Sequence, residues 1–329
     1  MKRREFLISA AAAGVVAGTR SVWAQPPAGA KPSTLDRISI MTLNFQRMLK
    51  VPDVQDSPER TLELFDIAQM IADKYGVHKV EFQHYHIPST EPSYLKELRG
   101  RIEKSKSRMT QINLEFGALN MSAPQQRDRL MAIDLTKMWV DHAVMLGAQR
   151  VMINQGQPTQ ENKVYGIPTL KAMVDYGRSK GIIVSVETRG GGGNRGAGGG
   201  AARGAAPGAA AAAPTAAPTP SPAPTGPPPL TGLAAWTLLA EILKGAESYS
   251  NVDVGGAGAA NQEELHTCLK MLFPMTAGTM HTRVNPRWDL ATAIKFLEHE
   301  LGYKGLYTIE SSGGHEGTKE IYDVVVATL

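Results

Sequence analysis

Residues 182–186 read Ile-Ile-Val-Ser-Val and stop at Glu187, an apolar β-branched run ending in an acid. A short continuous apolar run of this kind reads as a strand covered on both faces, and such strands belong to parallel sheets flanked by helices. Comparable segments recur along the chain, at 38–43, 77–83, 112–116, 150–154, 251–254, 278–282 and 306–309. Between them the period changes to that of helices. The expected helices are 58–75, with Ser57 as cap and Pro58 at the first position, 92–106, 124–146 and 168–180, the last again opening on a proline. After these come 233–244, 262–272, 289–301 and 318–327. On 124–146, Leu130, Ile133, Val140 and Ala143 share the side expected to face the core. Strict alternation of strand and helix points to an α/β architecture with a parallel sheet.

Residues 190–230 break the pattern, being Gly, Ala and Pro with scattered Ser, Thr and arginine. A tract with so little to bury is expected to be disordered or partly polyproline-like. Neither flank holds a full set of strands, so the tract reads as a loop insertion after the fifth strand and not as a linker. Without it and the first 32 residues, about 250 residues remain, the length typical of a closed (β/α)8 barrel. The expected fold is therefore a (β/α)8 TIM barrel in one domain, residues 25–329, carrying that insertion.

The first 24 residues change the expected compartment. Arg3-Arg4 precedes an apolar segment, 8–18, and the small-residue site Val22-Trp23-Ala24. This is the pattern of a twin-arginine export signal, and its apolar part is shorter than the ~20 residues that span a bilayer. A periplasmic or secreted protein is expected, with no stable membrane insertion after cleavage. A single cysteine, Cys268, excludes an intrachain disulfide. The formal charge of +4 owes something to the leader arginines, and no basic run is interleaved with aromatics, so nucleic acid is not an expected partner. A carbohydrate is expected, and self-association into a homo-oligomer stays open.

Four strand ends carry the chemistry: Glu187, Asp253, His281 and Glu310. In α/β barrels the C-terminal strand ends are where loops gather and ligands bind. Three carboxylates and one imidazole suit Mn²⁺, Co²⁺, Mg²⁺ or Zn²⁺ rather than a soft-ligand site. Each alone has an ordinary explanation, as turn former, core histidine or ion-paired acid. Their recurrence at consecutive strand ends favours one divalent metal ion. Secondary candidates for substrate contact are His84 and His86, expected on one side by strand alternation, together with Asn154, Arg189 and Arg283. Asn44 and Asn120 follow strands as well, Glu81 lies within one, and residues 311–315 (Ser-Ser-Gly-Gly-His) read as a hydroxyl-binding loop or plain turn chemistry.

The ordered set Glu187, Asp253, His281, Glu310 resembles that of the xylose isomerase-like superfamily of sugar isomerases and epimerases, which includes ketose 3-epimerases. The resemblance covers roughly residues 38–329 apart from the insertion. It implies that the four residues hold one divalent ion and that Glu187 and Glu310 double as the proton-transfer pair. The chain departs from the ketose epimerases in two places. Their Asp-x-x-His is here Asp253-Val-Gly-Gly256, and the second acid after the fifth-strand glutamate is replaced by Arg189 and glycine. The implied activity is a metal-dependent sugar or keto-sugar isomerase or epimerase working through an enediolate. A lyase acting on 3-keto-glycosides by β-elimination and a sugar-binding barrel without turnover are the alternatives. Metal-cluster DNA-repair endonucleases share such a barrel but need more histidines and a basic groove.

Overall fold

Eight parallel strands pair in sequence order and the eighth returns to the first, closing a barrel. The computed structural model describes residues 33–51, 56–116, 119–154, 156, 158–188, 230–255 and 258–329. The expected leader, nearly all of the expected insertion, and Arg189 lie outside the described residues. The strands are β1 (Ile38–Met41), β2 (Lys79–Gln83), β3 (Arg108–Leu114), β4 (Arg150–Ile153), β5 (Ile183–Glu187), β6 (Tyr249–Asp253), β7 (Thr276–Thr282) and β8 (Leu306–Ile309). The helices are α1 (Ile67–Tyr75), α2 (Pro92–Lys104), α3 (Gln126–Leu146), α4 (Lys163–Ser179), α5 (Gly232–Ala246), α6 (Gln262–Leu272), α7 (Leu290–Lys295) and α8 (Gly314–Thr328). Among the described residues no helix is long and apolar enough to cross a membrane.

Every expected strand is present, and the (β/α)8 barrel expected from the alternation is the fold observed. The helix starts that differ most are those of α1 and α4, and α8 opens at Gly314 instead of 318. Ser57 and Pro58 begin a turn, not a helix: Arg60 donates its N–H to Ser57 O at 2.9 Å, and Leu62 pairs with Leu49 in a short parallel bridge. Arg60 also donates Nη1 to Gln46 O at 3.1 Å, which ties this segment to the loop after β1 and delays α1 to Ile67. In α4 the proline stands inside the helix. Thr159 and Asn162 bond each other's backbone N–H through their side chains, at 2.6 and 3.2 Å, and fix the turn that leads into the helix at Lys163, ahead of Pro168. On α3 the buried residues are Ala132, Thr136, Trp139, Val140, Ala143 and Leu146, whereas Leu130 is exposed.

The apolar core lies between the ring and the helices. Alternate strand residues such as Ile40, Val80, Phe82, Ile112, Val151, Val184, Val252 and Met280 are fully buried in it. The inside of the ring is polar instead. Gln111 Nε2 of β3 reaches Asn251 Oδ1 of β6 at 3.4 Å, Ser39 and Thr110 share a hydroxyl bond at 3.0 Å, and so do Thr279 and Thr308. Arg150, 1% exposed, donates Nε to Ala277 O at 2.8 Å. Buried polar groups are tolerated when hydrogen-bonded, and this ring interior forms a connected network below the strand ends.

Candidate metal centre at the strand ends

Parallel pairing brings consecutive strand ends side by side. Glu187 of β5 is in register with Asn251 of β6, Asp253 with His281 of β7, and His281 with Thr308 of β8. Glu310 follows β8 directly and its N–H still bonds Thr282 O at 3.0 Å, so its side chain leaves from the same rim. All four residues are buried.

Three of them converge. Ligand atoms of Glu187, His281 and Glu310 lie within 4.8 Å of one another. His281 Nδ1 is 3.3 Å from Glu187 Oε1 and 3.1 Å from Glu310 Oε2, and Nε2 is 2.6 Å from Glu81 Oε1. Burial pulls the His281 pKa down, but the Glu81 charge and the carboxylates at Nδ1 outweigh it and hold the imidazole well above its ordinary value. Asp253 is turned to another partner: Arg283 Nη2 donates to its Oδ2, while Nη1 stands 3.2 Å from Glu310 Oε1. Burial, opposed by Arg283 and aided by the charges of Glu310 and Glu187, pushes the Asp253 pKa up. Glu310 moves the other way, because Arg283 and His281 together overcome its burial.

The donors suit a small divalent cation. Three hard ligand atoms within 4.8 Å of one another match the spread of atoms each about 2.0–2.6 Å from a shared centre. Glu310 Oε2 is buried and faces His281 Nδ1 at 3.1 Å. Nothing soft is nearby among the described residues, since the one thiol, Cys268, is buried in α6. Asp253 would add a fourth ligand atom, an oxygen, on leaving Arg283.

The secondary candidates separate. His84–His86 is a short 3-10 turn, not an extension of β2, so alternation does not govern it. His84 packs against Phe116 with ring centres 4.0 Å apart, and its Nδ1 accepts the Glu115 N–H at 3.1 Å. Burial lowers its pKa to about 4, against the opposing Asn113 carbonyl. His86 bonds Thr42 Oγ1 through Nδ1 at 2.8 Å, its Nε2 is buried without a partner, and burial takes its pKa to about 3. Asn154 donates Nδ2 to Glu115 Oε2 at 2.7 Å and keeps Oδ1 buried and unpartnered. Asn44 is committed to the backbone, accepting Ser311 N–H at 2.8 Å, and Asn120 similarly accepts Ser122 N–H at 3.0 Å. His315 is bonded by Tyr75 Oη at 2.9 Å, and within the stretch after β8 Ser311 Oγ accepts the Gly313 N–H at 3.0 Å. Tyr85 and Glu115 were passed over by sequence reasoning: Glu115 accepts from Asn154, and burial, then the charges of Glu115 and Glu310, raise the pKa of Tyr85.

No protein-family description and no curated protein matches the chain. Solved structures do match. A xylose isomerase domain protein from Planctomyces limnophilus is 12% identical, with 89% of this chain and 96% of that one covered at a TM-score of 0.58. The D-psicose 3-epimerase of Clostridium cellulolyticum H10, solved with D-tagatose, is 11% identical, covering 88% and 95% at 0.60. The 3-keto-D-glucoside 4-epimerase of E. coli is 9% identical, covering 89% and 98% at 0.58. At such identity the likeness is one of fold, a closed (β/α)8 barrel.

Proposed function

We propose that this chain is a divalent-metal-dependent isomerase or epimerase of a sugar or keto-sugar, moving a proton at a carbon beside a carbonyl. The observation that carries the reading is the buried cluster of Glu187, His281 and Glu310, in which two carboxylates from separate strands face one imidazole nitrogen. Glu187, Asp253, His281 and Glu310 would hold the ion. When bound, it supplies positive charge to the oxygens of an enediolate. Glu310, its pKa lowered by Arg283 and His281, is ionised at neutral pH and able to accept a proton. Glu187, from the strand three places away in the ring, would return a proton from another direction. Arg283, His86 and the open Oδ1 of Asn154 are the proposed hydroxyl or carbonyl contacts, with Arg189 proposed on sequence alone. Glycine at position 256, where ketose epimerases carry the histidine of Asp-x-x-His, supports a carbohydrate other than a free ketose. The barrel likeness to a 3-keto-D-glucoside epimerase supports a keto-glycoside, for which β-elimination begins with the same proton removal and is the second reading. The leader pattern extends the proposal to an exported enzyme.

Solvent deuterium incorporation tests the proposal. Protein loaded with Mn²⁺ and offered a panel of ketohexoses and 3-keto-glucosides should exchange the proton beside the carbonyl of at least one. Glu187→Gln and Glu310→Gln should keep part of the metal, since an amide retains an oxygen ligand, yet lose exchange by at least 100-fold. Unchanged exchange in both variants, or none with any sugar at full metal occupancy, would sink the reading.

A further inference from the structure

Glu81 lies in the middle of β2, between Val80 and Phe82, which pack into the apolar core, and is itself 0% exposed on the polar inner side of the ring. An isolated carboxylate buried there would cost several kcal/mol, so its partners matter. Three donors converge on it. Asn113 Nδ2 of β3 reaches Oε1 at 2.6 Å, Thr308 Oγ1 of β8 reaches Oε2 at 3.1 Å, and His281 Nε2 of β7 stands 2.6 Å from Oε1. The direction of these bonds is determined by the neighbours. Asn113 Oδ1 accepts from Gln111 Nε2 at 2.9 Å, so the asparagine presents its amide nitrogen to Glu81. Asn113 and Thr308 both donate to Glu81, which matches a charged carboxylate, and toward that carboxylate His281 Nε2 is the donor.

We infer that Glu81 is the positioning residue of this centre: a carboxylate strut across the barrel that holds His281 with Nε2 protonated and turns Nδ1 toward Glu187 and Glu310. Fully buried within the ring, Glu81 has no route to a substrate and acts through the imidazole alone. A hydrogen-bonded carboxylate behind a ligating histidine fixes its ring and raises its basicity, and loss of such a partner typically costs 10–100-fold in metal affinity. The inference rests on the metal reading above for its consequence, but its core, the state of His281, is measurable in metal-free protein.

Two variants separate the effects. Glu81→Gln keeps the shape and one accepting oxygen while removing the charge, and Glu81→Leu removes both. In ¹⁵N-histidine-labelled, metal-free protein, the Nε2 proton of His281 should be protected from water exchange in the wild type, less so in Glu81→Gln, and unprotected in Glu81→Leu. In parallel, titration with Mn²⁺ should show about 10-fold weaker binding in Glu81→Gln and up to about 100-fold in Glu81→Leu. Should Glu81→Leu not fold, Glu81→Gln decides the matter. An Nε2 proton indifferent to both changes, or wild-type Mn²⁺ affinity in Glu81→Gln with an unprotected Nε2, overturns the role of Glu81. Protein that shows the protected proton but binds no Mn²⁺ leaves the strut in place and rejects the metal reading instead.

Discussion

Arg283 shows how one side chain balances a site crowded with acids. It bridges Asp253 and Glu310, and their charges, acting against its burial, drive its already high pKa further up. Removing one member of a buried ion pair leaves the other uncompensated, typically at a cost of ~3–5 kcal/mol. Arg283→Met should therefore lower the melting temperature of metal-free protein. If the acids are metal ligands, Mn²⁺ should restore more stability to this variant than it adds to the wild type; an equal thermal shift in both would show that Arg283 and the ion do not share ligands. At this scale much was legible. Acids and a histidine at strand ends stand out because an apolar run makes its terminus visible. Tyr85 and Glu115 did not, since the turn at His84–His86 breaks the alternation that assigned the two histidines to one side. Nor does sequence reveal that Asn44 and His315 are held by hydrogen bonds to Ser311 and Tyr75, residues remote along the chain.

Elements were read well where a single physical signal dominated. Strand β5 is announced by its β-branched run, and α6 begins and ends where its pattern does, helped by the Asn261 cap that accepts Glu264 N–H at 3.0 Å. Helix starts marked by proline misled twice, because a side-chain-bonded turn ahead of α4 and the Arg60 tie ahead of α1 set those starts instead. Asp289 is the cap of α7 rather than its first residue, accepting Thr292 N–H at 2.7 Å. The fit of helix to strand shows at Gly177 of α4. A Cβ there would stand 2.6 Å from Val184 Cγ2 and 2.7 Å from Ile182 O, so the helix lies against β5 more closely than a side chain permits. Alanine is the better helix former by about 1 kcal/mol, yet crowding in a packed core costs about 1–3 kcal/mol. Gly177→Ala should thus be neutral to destabilising in urea unfolding, with a rise in midpoint contradicting the close packing.

For the whole molecule, acid sensitivity follows from two buried histidines. His84 and His86 titrate near 4 and 3 in the folded chain, below the ordinary histidine value of 6.5. Between about pH 6.5 and 4 the unfolded chain binds these protons and the folded chain does not. Their contribution is therefore complete above the unfolded value and is lost as pH falls, at up to about 1.4 kcal/mol per pH unit for each group. Melting temperature measured from pH 7.5 to 4.5 should decline less steeply in His86→Asn than in the wild type, and parallel slopes would refute the assignment.

The ring closes only when β8 pairs with β1. Glu81 enters with the second strand, His281 with the seventh, and Glu310 directly after the eighth. Contacts that span so much chain form late, because loop closure precedes them. During synthesis, then, no partial barrel holds the complete set of acids. The cluster of Glu187, His281 and Glu310 comes into being only at the moment the last strand docks.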